Sequence, residues 1–146
     1  DGIRYPPRSR GLGDVYKRQI YYIRSVESFK HMKHKTFRIL LVAYMILILG
    51  LSSMPAQDFP KTWLLTWDKL IHLVEYFILG ILTMKSMNTI SYRTLRIVLP
   101  FGMLFGVLDE YLQSFISGRF SSGWDVLADT IGVTIGALLI LGNDKK

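Results

Sequence analysis

The sequence contains no cysteine, which excludes disulfide bonds and thiolate metal sites. It is also poor in charge, because only 20% of its residues are Asp, Glu, Lys or Arg. The segment from Ile39 to Ala56 has no charged residue at all. An uncharged apolar run of about 18 residues is long enough to cross the hydrocarbon core of a bilayer. The sequence therefore predicts a transmembrane helix at the start of its apolar part.

Three further apolar stretches follow, each with a few ionisable residues and each bounded by turn-forming residues. Together they predict an all-α fold, an integral membrane bundle of four transmembrane helices. The predicted helices cover about Phe37–Met54, Asp68–Met87, Tyr92–Ser117 (with Pro100 as a possible kink) and Trp124–Leu141. A soluble helical bundle is the alternative, since the last three stretches are not free of charge.

The chain carries a net charge of +7, and its position predicts the orientation in the membrane. Cytoplasmic loops are enriched in Lys and Arg. Basic residues precede the first helix, flank the second loop and end the chain, so we expect both termini to be cytoplasmic. The basic residues form no single face and no recognition motif, so nucleic acid is not an expected partner.

Residues 1–31 are expected to be a non-native or disordered leader. To about residue 19 they are rich in Arg, Gly and Pro without helical or strand periodicity, and they resemble translated adapter sequence. Met32 is then a plausible true start, and residues 32–146 form the transmembrane domain. The basic opening and the small residues near Ala56 would also suit a secretory signal peptide, but the apolar run is long for one.

Ionisable residues and glycines recur at helical spacing on the last three predicted helices. Residues at i, i+4 and i+7 share one face of a helix. The faces consist of Asp68, His72 and Glu75; then Gly102, Gly106, Asp109 and Gln113; then Asp125, Asp129, Gly132 and Gly136. Both glycine pairs are G-x-x-x-G, which lets helices approach closely in lipid. The acids on the same faces should therefore point into the bundle.

These faces predict one polar cluster that opens toward the cell exterior. Its expected members are Asp68, His72, Glu75, Asp109, Glu110, Gln113, Arg119, Asp125 and Asp129. Six carboxyls are balanced only by Arg119, Lys69 and His72, so either some are protonated or a cationic ligand completes the site. The alternatives are salt bridges that only hold the bundle together and, for Asp68 and Asp125, simple helix capping.

The same residues form motifs that resemble the VanZ-like family. They are Asp68-Lys69-x-x-His72-x-x-Glu75-Tyr76, Asp109-Glu110-x-x-Gln113 followed by Gly118-Arg119, and Asp125-x-x-x-Asp129-x-x-Gly132, with Ser52-Ser53-Met54-Pro55 before them. Asp129 departs from the pattern, because the family usually carries Asn there. The resemblance implies a multi-pass protein of the bacterial cytoplasmic membrane with a role in the envelope. It also implies a link to resistance to the glycopeptide teicoplanin.

Three functions remain open from the sequence. The first is a non-enzymatic protein whose acidic cluster binds a cell-wall precursor or a lipid. The second is a membrane-embedded metal-dependent or acid/base enzyme, in which His72, Glu75 and Asp109 would be the metal-ligand candidates. The third is proton or cation transfer. No cofactor and no resident metal is predicted, the bilayer is the expected partner, and the small-residue faces would also allow a homo-oligomer.

Overall fold

The computed structural model describes residues 10–54, 61–118 and 122–144, apart from the side chains of residues 10–14, 25–32, 61–66 and 68. All regular structure in these residues is helical, so the all-α prediction is confirmed for them. The helices are α1 (Arg10–Ser52), α2 (Lys61–Ser86), α3 (Tyr92–Gln113) and α4 (Gly123–Asn143).

The chain divides into two compact units, Asp1–Lys33 and His34–Lys146. The described residues of the first unit belong to α1, and their side chains, such as Tyr16 and Tyr21, are mostly exposed. The second unit contains the rest of α1 and the other three helices. The prediction that residues 1–31 are a leader is not tested by these observations.

Two helices begin well before their predicted starts. In α1, no glycine or proline lies between Asp14 and Leu49, so the backbone has no local reason to leave the helix before Gly50. In α2, the helix begins seven residues before Asp68, which is therefore not a cap. The helix α3 continues through Pro100 and ends at Gln113, ahead of the positive φ of Gly118.

The helices α2 and α4 are the most closely packed pair, and glycine makes that approach possible. A Cβ added to Gly132 would lie 2.5 Å from the carbonyl oxygen of Leu73. One added to Gly136 would overlap the carbonyl oxygen of Phe77, and one on Gly80 would overlap that of Val133. Each helix thus presents glycine to the backbone of the other.

The helix α3 packs against α4 through the other glycine pair. An added Cβ would lie 2.6 Å from the Val133 methyl groups at Gly102 and 2.8 Å from Asp129 Oδ2 at Gly106. Both glycines are buried. The apolar core between the helices includes Ile48, Tyr76, Leu79, Met84, Val98, Phe105, Val133 and Ala137.

The part of α1 in the second unit contacts α2 through side chains. The hydroxyl of Tyr44 donates to the backbone oxygen of Glu75 at 3.1 Å. Near the other end of α2, Arg38 Nε donates to the backbone oxygen of Ser86 at 3.1 Å, and Arg38 Nη2 donates to Asn88 Oδ1 at 2.7 Å. His34 Nδ1 lies 3.2 Å from the backbone oxygen of Lys85. These contacts make α1 antiparallel to α2.

Within the described residues, two helical segments are long and apolar enough to cross a membrane, Lys33–Ser52 and Gly123–Asn143. Many of their large apolar side chains point outward, among them Ile39, Ile46 and Leu139. The helices α2 and α3 carry more ionisable residues and do not pass the same test. That all four helices cross the membrane, and that both termini are cytoplasmic, therefore remain predictions.

Candidate polar site

One end of the second unit gathers polar side chains from all four helices. The chain reverses direction at each turn, so the end of α1 and α3 meets the beginning of α2 and α4. We call His72, Asp109, Glu110 and Asp129 the carboxyl cluster. All four side chains are buried, and Asp109 and Asp129 have no exposed surface. Buried ionisable groups are costly unless they are paired or hydrogen-bonded, so each partner is informative.

Asp109, on α3, receives three hydrogen bonds on one oxygen and none on the other. The donors to Oδ2 are Ser52 Oγ at 3.1 Å, Gln113 Nε2 at 3.2 Å and the Tyr76 hydroxyl at 3.5 Å. All three donors are neutral. Oδ1 is buried and has no hydrogen-bond partner in the described part of the chain.

His72, on α2, connects the two other acids. Its Nδ1 lies 3.0 Å from Asp129 Oδ1 on α4, and its Nε2 lies 3.8 Å from Glu110 Oε1 on α3. The imidazole stacks on the ring of Tyr76, with 6.4 Å between the centroids. Glu110 Oε2 also accepts a hydrogen bond from the backbone N–H of Ser122 at 2.9 Å. His72 therefore ties three helices together through their acids.

The second oxygen of Asp129 faces the glycine surface of α3. Oδ2 lies where a Cβ on Gly106 would come within 2.8 Å of it. This oxygen is buried and lacks a hydrogen-bond partner among the described residues. Two acceptors of the cluster are thus open, Asp129 Oδ2 and Asp109 Oδ1, while a third buried oxygen without a hydrogen bond within the described ranges, Glu110 Oε1, faces His72 Nε2 at 3.8 Å.

Asp125 lies one turn from Asp129 and is paired separately. Lys69 Nζ donates to Asp125 Oδ1 at 2.8 Å, with the lysine side chain 60% exposed and the aspartate 3% exposed. The N-cap of α4 is Ser122, whose Oγ accepts from the backbone N–H of Trp124 at 3.2 Å. The alternative that Asp125 caps this helix is therefore wrong.

Three predicted members of the cluster remain, Glu75, Asp68 and Arg119. Glu75 is half-buried on α2 and contacts Tyr44 through its backbone oxygen. The side chain of Asp68 and the whole of Arg119 lie outside the described residues. The structure brings together the predicted members His72, Asp109, Glu110, Gln113 and Asp129, with Asp125 beside them.

Two residues of the site were not predicted from the sequence, Ser52 and Tyr76. Tyr76 follows His72 by four positions, so helical spacing already puts both on one face. Ser52 lies within the uncharged run and belongs to the Ser52-Ser53-Met54-Pro55 motif, but a serine near the end of a helix gives little signal of a buried contact. Its contact with Asp109 spans 57 residues of sequence and depends on the tertiary fold.

The same geometry bears on metal binding. No group of three His, Asp or Glu side chains within the described ranges is arranged to hold a metal ion. Of the three metal-ligand candidates, His72 is turned toward Asp129 and Glu110, and the donors around Asp109 are hydroxyl and amide groups. The carboxyl cluster instead provides buried carboxyl oxygens that can accept hydrogen bonds.

These observations define the class of protein. The described residues of the second unit form helices with apolar side chains on their outer surfaces and acids buried between them. The family model described as VanZ/LLP1 matches residues 20–142, so the chain belongs to this family. The resemblance to VanZ-like proteins is thereby confirmed. No curated protein and no solved structure matches the chain. Family membership and the two apolar helices together indicate a membrane protein.

Proposed function

We propose that the chain is a multi-pass protein of the bacterial cytoplasmic membrane whose carboxyl cluster binds the polar group of an envelope lipid or a lipid-linked cell-wall precursor. All four helices cross the bilayer, and both termini are cytoplasmic. The distribution of Lys and Arg supports this orientation. The packing of α2 and α3 against α4 supports the crossing of these charged helices, because it keeps their acids away from lipid.

The observation that carries the proposal is the pair of open oxygens, Asp109 Oδ1 and Asp129 Oδ2. Both are buried and lack a donor among the described residues, in a unit that satisfies most other polar groups of its interior. An unsatisfied buried acceptor costs about 1–3 kcal/mol, and more when it is charged. A bound group that donates hydrogen bonds removes that cost, whereas a purely structural cluster leaves it in place.

The envelope is the natural source of such a group. A site enclosed by transmembrane helices is reached by molecules that partition into the bilayer, and these include phospholipids and lipid-linked precursors. The link to teicoplanin resistance rests on the family resemblance. Expressing the chain in a teicoplanin-susceptible bacterium, with an Asp109→Asn variant beside it, tests whether resistance depends on the cluster.

The experiment that tests binding is native mass spectrometry, with elemental analysis, of the chain purified in mild detergent without chelator. We expect a metal-free protein with a co-purified lipid or precursor, and loss of that molecule in Asp109→Asn. Asp144→Asn, the same change at the far end of α4, is the matched control and should retain it. Retention by Asp109→Asn, or stoichiometric metal that is lost in His72→Ala, would overturn the proposal.

A further inference from the structure

We infer that the polar group recognised by the carboxyl cluster is a primary ammonium, the –NH₃⁺ of an amine-bearing membrane molecule. This inference rests on the proposed function and specifies the chemistry of its ligand. It follows from which atoms of the cluster are open, which partners the other atoms already have, and how the cluster is covered.

The open atoms are acceptors, so the ligand must supply donors. Asp109 Oδ1 and Asp129 Oδ2 belong to side chains on α3 and α4. An ammonium group carries three N–H donors and no acceptor, so it can satisfy two carboxylates without introducing a new unsatisfied atom. A hydroxyl has one donor and would leave one of the two oxygens open.

The charge around Asp109 also favours a cation. Its hydrogen-bond donors Ser52, Tyr76 and Gln113 are neutral, and no ion pair forms to it within residues 10–54, 61–118 and 122–144; His72 acts on it electrostatically but is hydrogen-bonded to Asp129. Asp129 and Asp125 each have a cationic or potentially cationic partner, His72 and Lys69. Asp109 is thus a completely buried carboxyl whose hydrogen bonds come from neutral donors alone, and buried carboxylates are normally paired with a cation.

Other cations fit the geometry less well. Calcium requires six or more oxygen ligands and magnesium a near-octahedral set, and the described residues provide no group of three or more His, Asp or Glu side chains that could hold a metal ion. A guanidinium binds both oxygens of one carboxylate in a planar fork, whereas the open oxygens here belong to two carboxyls. A quaternary ammonium has no N–H and would leave both acceptors unsatisfied.

The way α1 covers the cluster gives the ligand a route from the bilayer. Ser52 at the end of α1 contacts Asp109, while Ile46 and Leu47 in the same helix are exposed. Displacing the end of α1 would break the hydrogen bond from Ser52 and remove this cover from Asp109. The amine can belong to an aminophospholipid headgroup or to a lipid-linked wall precursor, both of which would enter from the membrane.

The test is a headgroup series in which donors are removed one at a time while the positive charge is kept. The full chain in mild detergent is titrated with phosphatidylethanolamine, its mono- and dimethyl derivatives and phosphatidylcholine, and bound lipid is counted by native mass spectrometry. We expect occupancy to fall along the series, by at least about tenfold between its ends, since the charge-assisted hydrogen bonds to both oxygens are lost. Equal occupancy across the series would overturn the inference.

Two variants test whether the preference for phosphatidylethanolamine arises at the carboxyl cluster. Asp109→Asn and Asp129→Asn should each lose the preference for phosphatidylethanolamine, and Asp144→Asn should keep it. A preference that survives in both cluster variants would place the amine site elsewhere and refute the inference. The wild-type series decides the matter even where a variant fails to fold.

A competition arm separates the two sources of amine. A lipid-linked wall precursor with a free amine should displace phosphatidylethanolamine, and its N-acetylated form should not, if the precursor is the better ligand. Displacement by neither form assigns the site to the phospholipid. If lipid binding depends on Asp109 but does not change when the headgroup nitrogen is methylated, the ammonium inference is refuted and the proposed function is retained. Absence of any ligand that depends on the cluster would refute both.

Discussion

Ser52, the last residue of α1, donates its hydroxyl to Asp109 Oδ2 on α3 over 3.1 Å. This hydrogen bond links the uncharged end of α1 to the most completely buried acid of α3. Because the same oxygen also accepts from Tyr76 and Gln113, the position of α1 is coupled to the arrangement of the carboxyl cluster.

Replacing Ser52 with alanine should loosen that coupling. We expect Ser52→Ala to lower the free energy of unfolding by about 1–2 kcal/mol, because Asp109 Oδ2 loses one of its three donors. Thermal unfolding in detergent measures the loss. The control is Ser53→Ala, since the Ser53 hydroxyl donates to the backbone oxygen of Leu49, four residues earlier in the chain. Equal effects at the two serines would contradict the contact.

The approach of α4 to α2 should be intolerant of a single added methyl group. Gly132→Ala places a Cβ 2.5 Å from the carbonyl oxygen of Leu73, and the backbone there has no flexible end that can move aside. We expect a loss of about 1–3 kcal/mol or more from overpacking, measured as a lower melting temperature.

Gly142→Ala is the matched control on the same helix. Nothing lies within 4 Å of its added Cβ, so alanine should be neutral or stabilising by at most about 1 kcal/mol. A Gly132→Ala variant as stable as Gly142→Ala would mean that α2 and α4 are further apart than described.

Much of the architecture could be predicted because it depends on local pattern. Uncharged length and turn residues predict the helices, and the spacing of Asp109 to Gly106 and of Asp129 to Gly132 predicts which faces carry both acid and glycine. What local pattern does not fix is the extent of a helix. The start of α1 at Arg10 differs from the predicted start near Phe37, because a basic segment that has no proline, and no glycine after Gly13, can be helical without being apolar.

The pairing within the site could not be predicted in the same way. Helical spacing places His72 on a polar face, but it does not predict that Asp129 and Glu110 are its partners. These two acids come from α4 and α3, not from the helix of His72. Those contacts depend on the relative rotation of neighbouring helices, which glycines such as Gly132 determine and which no single-helix pattern contains.

The hydrogen bond between His72 and Asp129 should account for a measurable part of the stability. Removing His72 leaves Asp129 buried without its partner, so His72→Ala should cost about 3–5 kcal/mol. In a double-mutant cycle with Asp129→Asn, we expect the two changes to be non-additive by about 0.5–3 kcal/mol. Chemical or thermal unfolding of the four proteins gives the coupling energy.

The reference cycle uses His34 in place of His72. His34 contacts the backbone of Lys85, about 20 Å along α2 from His72 at 1.5 Å per residue. His34→Ala and Asp129→Asn should therefore be additive to within about 0.5 kcal/mol. Coupling of the same size in both cycles would show that the measured energy does not come from the His72–Asp129 contact.

The predicted crossing of all four helices can be tested on a natural cysteine-free background. Single cysteines are introduced at exposed positions, Asn88→Cys between α2 and α3, Ser117→Cys after α3 and Asp144→Cys after α4. With an impermeant maleimide on intact cells, we expect labelling at position 117 alone, because the loops rich in Lys and Arg remain cytoplasmic. Positions 88 and 144 should label after lysis, which controls for reactivity. Equal labelling at 88 and 117 in intact cells would mean that α3 does not cross, and the acids of that helix would then have to be buried by protein on the membrane surface rather than within the bilayer.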